Sequence, residues 1–458
     1  MANGVARTGR EIRSASARRR AVAHPPAARY NDPMLDYKYI TENLDAVKRN
    51  IANRRMSADA DAVARLYASR TSLATTLQAL QQKRNANAAS MKGKLEQGQR
   101  DALVEEGKRL KDEIAAAEAE LGAAEKELEA RAREIPNMAH PDAPVGGEEQ
   151  DNLEVKRVGE IPRFDFEPRD HVRLGQELGI VDFDAGTKVS GTKFYYLRNE
   201  GALLELGLAR YALDILRGKG FDLYITPDVA RAEVVEGIGF SPRGAESNIY
   251  ALEGEDACLV GTAEITLGGY HAGEILARER LPIRMAGLSH CFRREAGAAG
   301  QFSKGLYRVH QFTKVEMFVL CLPEESDGLH AELRGIEEDI FAGLEIPFRV
   351  VDSCTGDLGA PAYRKWDLEA WMPGRGDGGG WGEVTSTSNC TDYQARRLNV
   401  RYKGEDGKNR FVHMLNGTAI AVSRAIIAIL ENFQRADGSV RIPAALAPYV
   451  GFDEIKKN

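Results

Sequence analysis

The chain has few cysteines and no long hydrophobic run. Its 458 residues include five cysteines, an odd number without a CxxC pair, which argues against a disulfide scaffold and a structural zinc site and fits a reducing compartment. No window approaches the roughly 18 consecutive apolar residues of a membrane helix, so we expect no membrane segment. Acidic residues (68) outnumber basic ones (62), which excludes a uniformly basic nucleic-acid binder but not a local basic surface.

Two nucleotide-binding signatures are also missing. The sequence contains neither GxxxxGK[ST] nor GxGxxG. If the protein binds a nucleotide, we therefore expect neither a P-loop nor a Rossmann turn to hold it.

Acidic residues are scarce in residues 1–34, which contain seven arginines, eight alanines and only two acids. The segment also lacks the apolar core of a secretory signal. This composition is typical of organelle transit peptides and predicts import into the mitochondrion, the chloroplast or both. The alternative is a disordered basic tail on a cytoplasmic protein.

From residue 35 to residue 136 the pattern is helical. A short amphipathic helix over residues 40–51 precedes two longer apolar series that surround the polar stretch 92–100. The two series are Val63, Leu66, Arg70, Leu73, Leu77, Leu80, Arg84, Asn87 and Met91, and then Leu103, Gly107, Leu110, Ile114, Ala117, Leu121, Ala124, Leu128, Arg131 and Ile135. Two such seams around one loop predict an antiparallel helical hairpin with arms of roughly 45–50 Å.

The two arms of this hairpin differ in charge. Residues 59–100 carry seven basic and three acidic side chains, whereas residues 101–134 carry six basic and eleven acidic ones. A solvated surface explains the density of charge but not its separation by sign. A projecting rod with one basic side is suited to contact a nucleic-acid backbone.

Proline and glycine, which interrupt helices and strands, are frequent in residues 137–170. We expect this segment to be a linker to a second domain over residues 171–458. In that domain the pattern predicts a helix over residues 200–216 and a strand over residues 311–319 with alternating apolar and polar residues. Strand-like stretches recur without regular helices between them. The predicted class is therefore α+β, with a mostly antiparallel sheet flanked by helices.

Three segments of this domain together resemble a known family. They are residues 220–227 (GFDLYITP), residues 292–297 (FRREAG) continuing into 306–316 (LYRVHQFTKVE), and residues 416–424 (NGTAIAVSR). In this order they resemble motifs 1, 2 and 3 of the class II aminoacyl-tRNA synthetases. The hairpin, residues 262–264 (TAE) and residues 310–312 (HQF) narrow the resemblance to the seryl-tRNA synthetase family, bacterial or organellar type, over about residues 35–450.

The resemblance implies activation of L-serine with ATP to seryl-adenylate, followed by transfer to tRNA(Ser). It implies catalytic roles for Arg293 and Glu383 and for Arg424, the motif 3 arginine on the γ-phosphate. The implied ATP-binding residues are Arg293, Arg294, Glu295, Val309, Phe312, Glu383, Val384, Thr385, Ser386 and Arg424. Glu383 and Ser386 would hold Mg²⁺, because this ion prefers oxygen ligands. We expect residues 417–419 to open the motif 3 helix, where phosphate approaches the backbone.

The implied serine site consists of Thr262, Ala263, Glu264, Arg293, Glu316 and Thr418. Paired polar groups suit this task, because a site that bonds a hydroxyl rejects the analogue without it. Two departures from the family stand out. Ala419 and Ser423 occupy positions that are often glycine, and the glycine-rich insert 373–381 before Glu383 looks long and flexible.

The hairpin is the implied tRNA-binding domain. The resemblance places it against the long variable arm of tRNA(Ser), and the basic residues Arg65, Arg70, Lys83 and Arg84 would contact the backbone. It also implies a homodimer built through motif 1. Two alternatives stay open at this point: a ligase that loads an amino acid onto a carrier protein, and a non-enzymatic coiled-coil RNA-binding protein.

Overall fold

A computed structural model describes residues 36–242, 247–296 and 302–457. The predicted transit peptide, residues 1–34, lies outside these ranges. None of the helices within them combines the length and the apolar character needed to cross a bilayer.

Four helices form the N-terminal region: α1 (Tyr37–Glu42), α2 (Leu44–Asn53), α3 (Ala60–Ser90) and α4 (Gln97–Arg133). Helices α3 and α4 pack along each other as the predicted hairpin. Their 31 and 37 residues correspond to about 46 and 56 Å. The prediction was wrong at one end, because the second helix begins at Gln97 inside the expected loop. There the backbone N–H of Glu96 donates to Oε1 of Gln99 at 3.3 Å, a contact that stabilises the start of a helix.

The seam between the two helices is buried at its base, where Val63 and Leu128 pack with Ile40 and Val47 of the short helices. Farther out the α4 side stays buried at Leu110, Ile114 and Ala117, whereas the α3 side is half-buried. Near the tip Asn87 donates to the carbonyl oxygen of Leu103 at 3.0 Å. Two predicted seam positions, Arg84 and Arg131, are exposed instead, because a long cationic side chain loses hydration on burial. The neighbouring Ala132 takes the buried position of Arg131.

The rest of the chain forms an α+β unit around one large sheet. Its helices are α5 (His171–Glu177), α6 (Phe183–Ser190), α7 (Glu200–Gly218), α8 (Ala232–Ile238), α9 (Ala263–Gly269), α10 (Ser326–Gly343), α11 (Tyr393–Leu398), α12 (Val422–Asn432) and α13 (Ala447–Val450). The strands of the large sheet are β1 (Leu153–Val158), β2 (Asp222–Ile225), β3 (Ile283–Phe292), β4 (Gln311–Cys321), β5 (Phe348–Asp352), β6 (Arg364–Met372), β7 (Gly380–Asn389) and β8 (His413–Ala421).

The eight strands lie in the order β1-β5-β6-β7-β8-β4-β3-β2. Every neighbouring pair is antiparallel except β2 and β3, which are parallel. The prediction of a mostly antiparallel sheet is therefore confirmed. Four smaller sheets accompany it within the described residues: Val181–Asp182 with Tyr196–Leu197, Val229–Arg231 with Tyr250–Ala251 and Ala257–Leu259, Ile275–Leu276 with Arg401–Lys403 and Asn409–Phe411, and Val440–Arg441 with Glu454–Ile455.

The predicted linker, residues 137–170, contains the edge strand β1. This strand was not predicted from the sequence, because most of its side chains are exposed at the sheet edge and do not alternate between buried and exposed. The central strand β4 extends the predicted strand to Cys321 and is buried over most of its length. One of its faces carries Val315 and Met317 into the main hydrophobic core.

The hairpin is fixed to the sheet domain by buried polar contacts. The guanidinium of Arg54, which is 3% exposed, donates to the carbonyl oxygens of Asn137 at 2.7 Å, Ala362 at 2.9 Å and Gly359. The amide of Asn137 in turn donates to the carbonyl oxygen of Cys390 at 3.0 Å. The base of the hairpin and the loop after β7 therefore share one hydrogen-bond network.

Candidate active site

A polar cleft opens where β3, β4, β7 and β8 meet the first turn of α12. It brings together nine of the predicted residues: Arg293, Glu295, Val309, Phe312, Glu383, Val384, Thr385, Thr418 and Arg424. Tyr307, Arg308, Lys314, Ala421 and Ser423 complete its lining among the described residues. Four cationic side chains and two carboxylates thus converge on one space, an arrangement suited to an anionic ligand that carries a metal ion.

Arg293 follows the end of β3 and reaches over β4. Its backbone N–H donates to the carbonyl oxygen of His310 at 3.0 Å, and Nε donates to the carbonyl oxygen of Gly261 at 3.3 Å. The guanidinium carbon lies 5.2 Å from the ring centroid of Phe312, a cation–π contact. These contacts leave the terminal nitrogens to bind an anion in two parallel hydrogen bonds.

Glu295 lies close by at φ 51°, a conformation that non-glycine residues rarely adopt and that often occurs at functional sites. Its Oε2 pairs with Nη1 of Arg308 at 3.4 Å. The backbone N–H of Arg294 donates to the carbonyl oxygen of Asn248 at 2.9 Å, so the three residues after β3 are held from both sides of the cleft.

Arg424 and Glu383 form the opposite wall. Nη1 of Arg424 lies 3.1 Å from Oε1 of Glu383 and donates to its carbonyl oxygen at 2.9 Å. Burial alone would raise the pKa of Glu383, but the charges of Arg424, Lys365 and Arg293 outweigh it and hold this pKa below its usual value. Glu383 is therefore an ionised carboxylate whose side chain stays 43% exposed in the cleft.

A β-bulge aligns Glu383 with Ser386. Leu368 of β6 pairs with Thr385, but Glu369 pairs with Glu383, so Val384 is an extra residue in β7. Residues three apart on a regular strand point to opposite faces, and one extra residue restores them to the same face. Glu383 and Ser386 therefore share the cleft side of the sheet, although Ser386 is not among the residues that line the cleft.

The motif 3 segment differs from the expectation in one respect. Residues 417–419 do not open a helix, because they belong to the end of strand β8, and α12 begins only at Val422. The helix is delayed because this segment pairs with β4, and Ala419 is the extra residue of a second bulge, between Val315 and Glu316. Arg424 thus lies in the first turn of α12, and Thr418 of β8 is the direct pairing partner of Glu316 on the neighbouring strand β4.

The predicted serine residues lie deeper, directly behind this cleft. Thr262 caps α9, and its Oγ1 accepts from the backbone N–H of Glu264 at 3.2 Å; Ala263 between them is fully buried. Burial and the nearby charge of Glu316 raise the pKa of Glu264 to about 7. This carboxylate therefore titrates in the neutral range.

Glu316 is 2% exposed and forms an ion pair with Lys314, which lies two residues away on the same face of β4. Oγ1 of Thr418 donates to Oε2 of Glu316 at 3.3 Å and lies 3.4 Å from Nζ of Lys314. Carboxylate, hydroxyl and ammonium groups thus meet where the predicted serine residues join the polar cleft.

Comparison with known proteins decides the family. Residues 34–139 match the family description "Seryl-tRNA synthetase N-terminal domain", and residues 250–433 match "tRNA synthetase class II core domain (G, H, P, S and T)". The serine–tRNA ligase of Treponema denticola is 68% identical over 422 residues, which cover 92% of this chain and 100% of that protein. The chain belongs to the seryl-tRNA synthetase family.

Two solved structures of the family have the same fold. Seryl-tRNA synthetase from Pyrococcus horikoshii complexed with ATP superposes with a TM-score of 0.85 at 41% identity, covering 93% of this chain and 100% of that one. The cytoplasmic serine–tRNA ligase of Naegleria fowleri in complex with AMP gives 0.82 at 32% identity, covering 93% and 99%. The predicted family and fold class are therefore confirmed.

The glycine-rich insert of this seryl-tRNA synthetase family member is an ordered turn between β6 and β7. Its ends are joined by Trp371 and Trp381, whose ring centroids lie 5.3 Å apart. Arg375 turns inward, with its guanidinium carbon 4.7 Å from the ring centroid of Tyr307. The guanidinium carbon of Arg424 lies 4.8 Å from the centroid of the same ring. The insert therefore packs against the cleft through Tyr307.

Several residues of the site were not predicted. Three of them lie in or beside the motif 2 strand: Tyr307, Arg308 and Lys314. The alternating pattern of this strand places Lys314 on the same face as Glu316, so Lys314 could have been predicted. Gln394 and Asn416 contact Glu264 from α11 and β8. Their role depends on which distant elements pack together, and the sequence does not contain that information locally.

Proposed function

We propose that this protein activates L-serine with ATP to form seryl-adenylate and then transfers the seryl group to tRNA(Ser). The observation that carries the proposal is the convergence of Arg293, Arg424 and Glu383 on one cleft, directly in front of the polar pocket of Glu264 and Glu316. The names of the relatives, serine–tRNA ligases, agree with this chemistry.

In the activation step the serine carboxylate attacks the α-phosphate of ATP, and pyrophosphate leaves. Arg293 would bind the α-phosphate and the serine carboxylate together, since its guanidinium offers two parallel donors. Arg424 would bind the γ-phosphate and give up part of its contact with Glu383. Preorganised cations are suited to this reaction, because negative charge develops on the transferring phosphate. Phe312 offers a ring for the adenine.

Glu383 and Ser386 would hold Mg²⁺. Their oxygens share one side of β7, and the carboxylate is ionised and accessible from the cleft. Mg²⁺ binds through one or two protein oxygens when phosphates and water complete its shell, so this small donor set fits. When bound, the ion would neutralise phosphate charge.

The inner pocket would select serine. Glu264 and Glu316 offer two carboxylates to the ammonium group, and Thr418 and Glu316 offer partners to the hydroxyl. Alanine would leave these buried partners unpaired, which is costly. Threonine would add a methyl group to a pocket walled by the buried Thr262 and Ala263.

The hairpin would recognise tRNA(Ser) through its long variable arm. Lys83 and Arg84 are exposed on the outer part of α3 and have no ion pair with a described residue, so they are available to phosphates. Arg65 is also exposed and lies 3.8 Å from Asp59, whereas Arg70 is paired with Glu125 across the hairpin at 3.0 Å. Lys83 and Arg84 are therefore expected to contribute most.

The protein would act as a homodimer through α7 and β2. Leu206 on α7 is 68% exposed, and Ile225 at the end of β2 is 87% exposed; Leu203 and Leu223 beside them are also exposed. An exposed apolar surface of this kind favours a protein interface. Leu223 and Ile225 belong to the motif 1 segment, residues 220–227, which the resemblance assigns to dimerisation.

The comparisons do not support the predicted import into mitochondrion or chloroplast. Two of the most similar relatives, the serine–tRNA ligases of Treponema denticola and Rubrobacter xylanophilus, are bacterial, which favours the cytoplasmic alternative. The organellar prediction therefore rests on residues 1–34 alone. A reporter fused to these residues tests it: import supports a transit peptide, and diffuse cytosolic signal identifies a basic tail.

A charging assay tests the proposed function. The purified chain, labelled serine, ATP, Mg²⁺ and total tRNA are expected to yield serine esterified to tRNA(Ser). Serine transferred to a carrier protein, or RNA binding without any adenylation, would contradict the proposal and identify one of the two alternative functions.

A further inference from the structure

Glu264 is held by amide groups that the proposed reaction does not use. Nε2 of Gln394 donates to Oε1 of Glu264 at 2.7 Å, and Nδ2 of Asn416 donates to the same oxygen at 2.9 Å. No described residue donates to Oε2. The carboxylate is therefore fixed through one oxygen, and the other stays available to a ligand.

The orientation of the Gln394 amide is unambiguous. Its Nε2 also donates to the carbonyl oxygen of Ile238 at 3.1 Å, so both hydrogens point at acceptors. A flipped amide would place its oxygen against a carbonyl and a carboxylate, which is repulsive. Gln394 is fully buried, and its Oε1 has no hydrogen-bond partner among the described residues. A buried orphan acceptor is costly, so a hydrophobic residue would pack here at lower cost unless the amide served Glu264.

We propose that Gln394 is a positioning residue for serine selection, because it fixes Oε1 of Glu264 so that Oε2 meets the amino group of the substrate. This inference rests on the proposed function, in which Glu264 binds serine. Gln394 itself does not touch the substrate and acts only through the carboxylate.

The hydrogen bond also affects the charge of Glu264. Burial and Glu316 raise its pKa to about 7, while the Gln394 amide, Lys314 and Arg293 act in the opposite direction. The charged or titratable groups that face it are Glu316 and Lys314 on β4, Arg293 after β3 and Cys390 before α11. Without the amide donor, the charged form loses one stabilising contact, and the pKa of Glu264 rises further.

The variant Gln394→Met preserves size and removes the donor. In serine-dependent ATP–pyrophosphate exchange with the full chain, we expect a serine KM at least tenfold higher and an ATP KM within twofold of wild type. We also expect the pH profile of serine KM to shift upward, so that KM begins to increase at a pH at least half a unit higher than in the wild type. A merely structural role would not shift this pH.

Gln434→Met is the matched control. Gln434 is also buried, and its Nε2 donates to two carbonyl oxygens, of Arg169 at 2.9 Å and Glu431 at 2.9 Å, at the far end of α12. It should lose thermal stability without changing serine KM or its pH profile. Gln394→Asn, whose amide is one methylene too short to reach Glu264, provides a second test if the methionine variant does not fold.

An unchanged serine KM in either folded Gln394 variant, or equal increases of the serine and ATP KM, would overturn the inference. These outcomes are distinct from failure of the proposed function, in which the wild-type chain itself would show no serine-dependent exchange.

Discussion

Replacing Arg293 by lysine tests the proposal that this residue binds the transferring phosphate through two parallel hydrogen bonds. In the structure Nε of Arg293 is engaged by the carbonyl oxygen of Gly261, and the guanidinium rests on Phe312, so two terminal nitrogens are left for the substrate. Lysine retains the charge but cannot form two parallel hydrogen bonds. A hydrogen bond to a charged group contributes about 1.5–3 kcal/mol. Losing one lowers kcat/KM roughly 10- to 150-fold, and losing both in Arg293→Ala lowers it roughly 10²- to 10⁴-fold.

The assay is serine-dependent ATP–pyrophosphate exchange, with a melting curve to verify folding. Arg284→Lys serves as the control, because Arg284 lies on β3, the strand that Arg293 follows, pairs with Glu332 and stacks on Phe221 with 5.7 Å to the ring centroid. It has the same kinds of contact away from the cleft, and its exchange should stay within twofold of wild type. Near wild-type exchange by Arg293→Lys would refute the two-donor reasoning.

Three further predictions concern the serine pocket and the hairpin. Because the pKa of Glu264 is about 7 and only its charged form attracts the serine ammonium, serine KM should increase roughly tenfold from pH 8 to pH 6; a flat profile in the exchange assay would contradict this. The double change Lys83→Glu, Arg84→Glu should weaken tRNA binding and reduce the slope of log affinity against log salt by about 2; a filter-binding titration with an unchanged slope would exclude phosphate contacts there. Deleting residues 74–120 keeps the base cluster and the Arg70–Glu125 pair, so serylation should collapse while exchange persists; normal charging would show that the outer hairpin is dispensable.

The helical hairpin could be predicted from the sequence because its signal is local. An amphipathic pattern with alternating spacings of three and four residues reflects one buried side of each helix, whatever packs on it. The start of its second helix at Gln97 was missed because the hydrogen bond between the backbone N–H of Glu96 and the side chain of Gln99 begins the helix within a polar stretch. The strand β1 was missed for a related reason: its pairing partner β5 lies almost 200 residues away, and its exposed side chains carry no alternation.

The site could be predicted from the sequence only at residues that belong to recognisable motifs. Arg293, Glu383 and Arg424 meet as the resemblance to the family implied. The two β-bulges that decide which side chains face the cleft depend on strand register instead. Val384 and Ala419 are the extra residues of two bulges, and no local property of either residue marks it as such. Gln394 contacts Glu264 across 130 positions, so its role becomes visible only when α11 is placed against α9.

The exchange of pyrophosphate into ATP with each of the twenty amino acids tests the central claim most directly. In the proposed site Glu316 and Thr418 would pair with the serine hydroxyl, and a site of this type rejects an analogue without it by about 10⁴-fold. We therefore predict rapid exchange with serine, exchange with alanine and glycine lower by about 10⁴-fold, and none with threonine above background. Equal exchange with serine and alanine, or none with serine, would contradict the account.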